Sequence, residues 1–120
     1  YYERHMYAGK RPEAPAECKG APESQVVYEH MWGPQEFFAT GTLLDFDLTA
    51  RLHEIDVPVL FMTGEFDEAR PETVAGFQKL VPGAQFTVIM GAGHSTLSKK
   101  PEEYRSVLED FLESVERRQH

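Results

Sequence analysis

The chain has 120 residues, a length that is enough for about one ordinary domain. Apolar residues make up 41% and charged residues 27%, which is the composition of a folded globular protein and excludes a disordered or fibrous one. Its 20 acidic residues outnumber 12 basic ones, and the formal net charge of −8 makes nucleic acids and anionic membranes poor partners.

The sequence also lacks the marks of membrane and disulfide-bonded proteins. No apolar run approaches the roughly 20 residues that a membrane-spanning helix needs, so we expect no membrane segment. Cys18 is the only cysteine, and it can form neither an internal disulfide nor a cysteine metal cage. This pattern fits a reducing, cytoplasmic location, although a secreted chain without its signal peptide would look the same.

Residues 1–47 are rich in aromatic side chains and are interrupted repeatedly by glycine and proline. The pattern predicts short helices joined by irregular loops. One helix is expected over Tyr1–Ala8, where Gly9 ends it. A second is expected over Pro22–Trp32, with proline in its first turn and Gly33 just past its end.

From Leu48 onward the sequence is regular and predicts alternating strands and helices. A short helix is expected over Ala50–Ile55, with Thr49 as its cap. Two apolar runs that end in glycine predict strands covered on both faces, as in parallel sheets. These runs are Val57–Thr63 and Phe86–Met90.

A helix is predicted after each of these strands. Pro71 opens the first, and Pro82-Gly83 ends it. Pro101 opens the last helix, whose apolar positions recur at intervals of three and one residues and predict a buried stripe along one face. The stripe consists of Tyr104, Val107, Leu108, Phe111, Leu112 and Val115.

The order strand, helix, strand, helix is typical of a parallel α/β fold with right-handed crossovers. Two parallel strands that are apolar on both faces would leave both faces of the sheet and at least one edge uncovered. We therefore expect the sheet to be completed by protein outside this sequence. The chain is interpreted as the C-terminal piece of a larger α/β fold.

Charged side chains follow both predicted strands at their carboxyl ends, where doubly wound folds place their ligands and catalytic groups. Asp67 follows the first strand and His94 follows the second. Since neighbouring strands are roughly 5 Å apart, we expect a carboxylate and an imidazole to meet there. Such a pair activates a nucleophile for acyl transfer, in the chain order of α/β hydrolases. Spacing alone leaves open which of Glu65, Asp67 and Glu68 faces the imidazole.

Other kinds of site find little support in the sequence. The Gly-x-Ser-x-Gly turn of hydrolase nucleophiles is absent, because no serine has the two flanking glycines. We expect the nucleophile to lie upstream, outside this chain. The remaining histidines show no metal-ligand spacing, so no metal is expected at His5, His30, His53 or His120.

Two groups of motifs in the chain resemble the proline iminopeptidase family. The segments Met31–Phe37, Thr40–Leu43 and Asp45–Asp47 look like the end of that family's cap domain. The segments Gly64–Glu68 and Gly93-His94 resemble its acid and histidine loops and keep the same interval between the two catalytic groups. The similarity covers most of the chain, and roughly the last 40% of such an enzyme.

The resemblance implies a fold and a division of the chain. The fold is the C-terminal portion of an α/β hydrolase, with the last two parallel strands and their helices, preceded by helical cap segments. Residues 1–47 would form part of the cap domain. Residues 48–120 would form the βαβα part of the hydrolase core.

The resemblance also implies an activity and a role for four residues. In the family, Asp67 corresponds to the triad acid and His94 to the triad base, while Glu36 and Glu68 correspond to the carboxylates that bind the substrate's free α-amine. The implied enzyme is a serine aminopeptidase that needs no metal or other cofactor. It would release an N-terminal residue, preferably proline, from a peptide or amino-acid amide through an acyl-enzyme. The nucleophile serine would come from an N-terminal part of the same enzyme, so this chain alone would be catalytically incomplete.

Two other classes of function stay open. An amino-acid amidase, an esterase or a dehalogenase-like hydrolase would keep the fold and change the reaction. A non-catalytic interaction domain would keep only the topology of a hydrolase. The residue at the nucleophile turn and a preference for free α-amines separate the enzymes, and labelling by a serine-directed fluorophosphonate separates the serine enzymes from a scaffold.

Overall fold

A computed structural model of the chain describes residues 1–11, 13 and 25–118. In chain order, its helices and strands are α1 (Tyr2–His5), α2 (Gln25–Met31), a 3-10 helix (Thr49–Glu54), β1 (Leu60–Gly64), α3 (Pro71–Leu80), β2 (Gln85–Ile89), α4 (Thr96–Lys99) and α5 (Pro101–Arg118).

The chain divides into two compact units. The first consists of Tyr1–Pro12 together with Arg51–His120, and the second of Glu13–Ala50. Residues near the start of the chain therefore pack in the same unit as the strands. The assignment of residues 1–47 to a cap domain and of residues 48–120 to the hydrolase core stays a prediction.

The two strands of the first unit are parallel neighbours, as predicted. Leu60 lies opposite Gln85 and Gly64 opposite Ile89, so both strands end at the same edge of the sheet. Strand β1 is shorter than the predicted run, which began at Val57. Pro58 has no N–H to donate, and pairing with β2 begins only beyond it.

The long helices of the first unit begin where the sequence predicts. Helix α3 begins at Pro71 and α5 at Pro101, which confirms proline as the start signal of both. Helix α1 ends at His5 and is shorter than predicted. Further along, Ala8 and Gly9 have φ angles of 47° and 133°, which a right-handed helix does not allow. Helix α4 was not predicted.

Burial in the first unit is lower than the apolar pattern predicts. Helix α3 packs on both strands and α5 packs on β2, yet the first three residues of β1 are only half-buried. No residue of α5 is buried, and Leu112 of its apolar stripe is 50% exposed. The described part of the chain therefore covers the strands and the stripe of α5 only in part, and their completion by protein outside this sequence stays a prediction. The small core consists of Val81, Ala84, Ile89 and Ala92, with the polar residues Thr63 and Asp67.

The second unit is built around the end of α2. The first residue of the predicted helix, Pro22, lies outside the described residues, and the observed helix ends one residue before Trp32. The chain then turns back, and the N–H of Gly41 donates to the Trp32 carbonyl at 2.7 Å. A Cβ atom at Gly41 would lie 2.4 Å from the Met31 carbonyl oxygen, so only glycine allows this approach.

The short helix near residue 50 differs from the prediction in type and in cap. It is a 3-10 helix over Thr49–Glu54, and the Thr49 N–H donates to Asp47 Oδ1 at 2.8 Å. Asp47 therefore caps the helix, and the assignment of Thr49 as the cap was wrong. Hydrogen bonds from the Thr49 hydroxyl and N–H hold the pKa of Asp47 below its usual value.

Two glycine substitutions test how tightly the end of β1 is packed. A Cβ atom at Gly64 would lie 2.3 Å from the Gly93 carbonyl oxygen, so we expect Gly64→Ala to destabilise the protein by about 1–3 kcal/mol. Gly76 in α3 faces open space, and Gly76→Ala should stabilise it by about 0.5–1 kcal/mol. Urea unfolding of the full-length protein measures both changes. Equal effects of the two substitutions would contradict the packing described for Gly64.

Candidate active site

The acid and histidine loops meet at the carboxyl edge of the sheet. His94 Nδ1 lies 2.9 Å from Asp67 Oδ1, so the imidazole N–H donates to the carboxylate. Of the three acids in the loop after β1, Asp67 is the one that faces the imidazole. The Asp67 side chain is 5% exposed and that of His94 is 51% exposed. A buried acid thus holds a base that reaches solvent.

The Asp67 carboxylate is held by backbone and side-chain donors close to it in sequence. Its Oδ2 accepts from the Gly64 N–H at 3.3 Å, and its Oδ1 accepts from the Ala69 N–H at 2.9 Å. The fully buried Thr63 hydroxyl lies 3.0 Å from both Asp67 Oδ2 and the Ala69 carbonyl oxygen, and its single proton serves one acceptor at a time. These donors offset the loss of water around the carboxylate.

Glu65 ties the two loops together without touching the imidazole. Its Oε2 accepts the Gly91 N–H at 2.9 Å, and its own N–H donates to the Ile89 carbonyl at 3.0 Å. The next residue, Phe66, donates its N–H to the Ala92 carbonyl at 2.9 Å. Through Glu65 and Phe66, the two residues that precede Asp67, the acid loop is therefore joined to the end of β2 and the start of the histidine loop, which fixes the separation of the two loops.

The histidine loop is also held by the segment that follows α1. The N–H of His94 donates to the His5 carbonyl and that of Ser95 to the Met6 carbonyl, each at 2.7 Å. The sequence predicted no role for His5 or Met6, because a contact across almost 90 residues leaves no local signal. Thr63 was missed as well, although a polar residue in an apolar strand next to a candidate acid is a usable signal.

The arrangement leaves one nitrogen of His94 available for chemistry. Nδ1 is used by Asp67, whereas Nε2 has no hydrogen-bond partner among the residues that the structure describes. A half-exposed imidazole whose Nδ1–H is fixed by a carboxylate can accept a proton at Nε2 from a nucleophile and later return it. The pair is therefore suited to general base catalysis.

The two other predicted site residues lie in different units. Glu68 is half-buried beside Asp67, and its carboxylate makes no hydrogen bond or ion pair within the described part of the chain. Glu36 belongs to the second unit, where it lines an apolar pocket of about 560 Å³. The Trp32 Nε1–H donates to the Glu36 carbonyl at 2.7 Å and fixes one wall. The other lining residues are Val27, Tyr28, Met31 and Leu43.

Two further features bear on the kind of site. Among residues 1–11, 13 and 25–118, no group of three His, Cys, Asp or Glu side chains is placed to hold a metal ion. The helices in the described part of the chain are too short or too polar to cross a membrane.

Comparison with known proteins adds to this geometry. The chain is 40% identical over 106 residues to a proline iminopeptidase from Heyndrickxia coagulans, covering 88% of this chain and 37% of that protein. It is 32% identical over 115 residues to a proline iminopeptidase from Thermoplasma volcanium, covering 94% of this chain and 39% of that protein. No protein-family model matches the chain.

A solved structure agrees with these relatives. The crystal structure of a proline iminopeptidase from Mycobacterium smegmatis superposes with a TM-score of 0.79 at 32% identity, over 99% of this chain and 40% of that one. The chain thus spans 37% to 40% of the length of these proteins. The agreement confirms the predicted fold class, a portion of an α/β hydrolase.

The hydroxyl beneath the acid can be tested by substitution. We expect Thr63→Val to lower the free energy of unfolding by about 1–3 kcal/mol, because it removes a donor from a buried carboxylate. The matched control is Thr87→Val in β2, since the Thr87 hydroxyl has no hydrogen-bond partner among the described residues; its effect should stay within about 0.5 kcal/mol. Urea unfolding of the full-length protein measures both, and a Thr63→Val loss no larger than the control's would rule out this role.

Proposed function

Since the chain corresponds in sequence and fold to the C-terminal portion of proline iminopeptidases, we propose that it supplies the acid and the base of a serine aminopeptidase. The enzyme releases an N-terminal residue, preferably proline, from a peptide or an amino-acid amide. The hydrogen bond between Asp67 and His94 is the observation that carries this proposal, because the same pair in the family's motifs is the acid and base of the triad.

The reaction follows from the orientation of the pair. His94 Nε2 takes the proton from a serine hydroxyl as its oxygen attacks the carbonyl carbon of the scissile bond. Asp67 keeps the Nδ1–H tautomer in place and stabilises the imidazolium that forms. The imidazolium then gives its proton to the leaving amine, and the acyl-enzyme is hydrolysed by water activated in the same way. No step requires a metal or other cofactor.

We propose that the serine belongs to an N-terminal part of the same enzyme. Three observations support this. The chain spans only 37% to 40% of its relatives' length, and its two parallel strands remain half-exposed. Large apolar side chains of the first unit are also exposed, and a further part of the hydrolase core would cover such groups. They are Val57, Phe66, Phe77, Leu80, Met90, Leu97 and Leu112.

We further propose that Glu36 and Glu68 bind the substrate's α-ammonium group. A free N-terminal ammonium distinguishes an aminopeptidase substrate from an internal peptide bond, and carboxylates in a partly desolvated site form charge-assisted hydrogen bonds with it. Glu68 supports this role because it is half-buried next to Asp67 and makes no bond of its own within the described part of the chain. Glu36 supports it because it lines an apolar pocket of a size suited to a side chain.

Substitution of the pair tests the chemistry. We expect His94→Ala to abolish turnover while substrate binding stays measurable, and Asp67→Asn to lower kcat on the order of 10³–10⁴-fold because the tautomer is lost. His53→Ala, at an exposed histidine of the 3-10 helix, is the control and should keep full activity. Steady-state kinetics of the full-length enzyme measure these changes, and labelling by a fluorophosphonate checks that the nucleophile is a serine. Retained kcat in His94→Ala would end the assignment.

The amine site is tested with a pair of substrates. We expect Glu36→Gln and Glu68→Gln each to lower kcat/KM for a free-amine proline amide by an amount equivalent to about 2–5 kcal/mol, because an ammonium would be buried with one carboxylate fewer. An N-blocked ester of the same residue should be hydrolysed nearly unchanged. Glu29→Gln in α2, an exposed carboxylate, serves as the control. Equal losses on both substrates would refute the amine site, and efficient turnover of the ester alone by the unmodified enzyme would favour an esterase.

A further inference from the structure

We infer that His5 is a positioning residue that joins the acid loop to the histidine loop and so sets how His94 meets Asp67. It is the residue with which α1 ends, and its two polar groups contact both loops. Its part in the reaction rests on the function proposed above, whereas its effect on the geometry of the pair does not.

The side chain of His5 bonds to the acid loop. Its Nδ1 lies 2.8 Å from the Phe66 carbonyl oxygen, one residue before Asp67. A carbonyl can only accept, so Nδ1 of His5 carries the proton and donates it. The imidazole ring also packs against Tyr1, and the centroids of the two rings lie 4.8 Å apart. The direction of the Phe66 peptide group is thereby tied to the position of α1.

The backbone of His5 bonds to the histidine loop. Its carbonyl accepts the His94 N–H, and the Met6 carbonyl accepts the Ser95 N–H. The last carbonyls of a helix have no partner inside the helix, and here the loop amides satisfy them. A Cβ atom at Gly93 would lie 2.5 Å from the His5 carbonyl oxygen, so the loop and the helix end are in direct backbone contact.

These contacts give His5 a role that packing alone does not have. The backbone of His94 is fixed by the carbonyl of His5, and the residue before Asp67 is fixed by its imidazole. Loss of the side-chain bond removes the link from His5 to the acid loop and leaves its backbone bond to the histidine loop. The bonds of Glu65 and Phe66 to the end of β2 still join the loops, but the Phe66 carbonyl next to Asp67 loses the donor that fixes its direction. A displacement of about an ångström between a base and its orienting acid is enough to slow chemistry.

Three substitutions separate the hydrogen bond from the space that the ring fills. His5→Ala removes both, His5→Leu keeps most of the volume without a donor, and His5→Asn keeps a donor at the position of Nδ1. In the full-length enzyme we expect the Ala and Leu variants to lower kcat about 10- to 100-fold with KM within about twofold. The Asn variant should recover kcat to within about threefold of the unmodified enzyme, and His53→Ala should leave it unchanged.

A second measurement does not depend on activity. The proton on His94 Nδ1, which is hydrogen-bonded to Asp67, should give a low-field resonance in NMR spectra. We expect this resonance to shift or broaden in His5→Leu and to return in His5→Asn, while both variants keep thermal unfolding midpoints close to each other. If the protein proves not to be an aminopeptidase, this measurement still decides the role of His5.

The outcomes that overturn the inference are distinct. An unchanged resonance in His5→Leu would show that the pair does not depend on the His5 bond. Equal loss of kcat in the Asn and Leu variants would show that the donor is irrelevant. A fall in unfolding midpoint alone, with kcat and the resonance intact, would reduce His5 to a structural contact.

Discussion

The Asp67 carboxylate is nearly removed from water, and a negative charge in that position persists only if hydrogen bonds replace the lost hydration. The end of β1 and the turn into α3 are shaped by this need. The Gly64 and Ala69 N–H groups and the Thr63 hydroxyl point at the carboxylate, and the imidazole of His94 takes the remaining side. The same peptide geometry requires glycine at 64, because the histidine loop crosses within van der Waals distance of it.

Much of this fold follows from local signals in the sequence. Proline marks the start of α3 and α5 because its fixed φ angle and missing N–H suit a first helical turn. Apolar runs ending in glycine mark both strands, and parallel strands joined by a helix place their ends at one edge. Those rules are enough to bring Asp67 and His94 together. They cannot show which of Glu65, Asp67 and Glu68 faces the imidazole. In helices and strands the direction of side chains repeats at a fixed interval, whereas in a tight turn it does not.

Other features depended on competition or on distance. Threonine is a favoured residue type at the N-cap of a helix, but here the Asp47 carboxylate, two residues earlier, accepts a hydrogen bond from the Thr49 N–H. The contacts of His5 join residues 61 positions apart, and no sequence pattern encodes such a pairing. The apolar residues of β1 and of α5 predict that these elements are covered, but they do not show which part of the protein covers them. The degree of exposure of β1 and α5 in this chain could therefore not be predicted from the spacing of apolar residues. The chain spans only 37% to 40% of the length of its relatives, and this fraction is consistent with the exposure of β1 and α5.

The hydrogen bonds that hold Asp67 and His94 differ in the sequence separation of the residues they join. Apart from His94, the groups that hold Asp67 lie within four residues of it, at the end of β1 and in the turn before α3, whereas the backbone N–H of His94 donates to His5, near the start of the described chain. Local openings of a protein proceed through contiguous segments of low stability. We therefore expect undocking of α1 to free the amide hydrogens of His94 and Ser95 for exchange with solvent while those of Gly64 and Ala69 stay protected, so that the base becomes dynamic in a state where the acid is still in place.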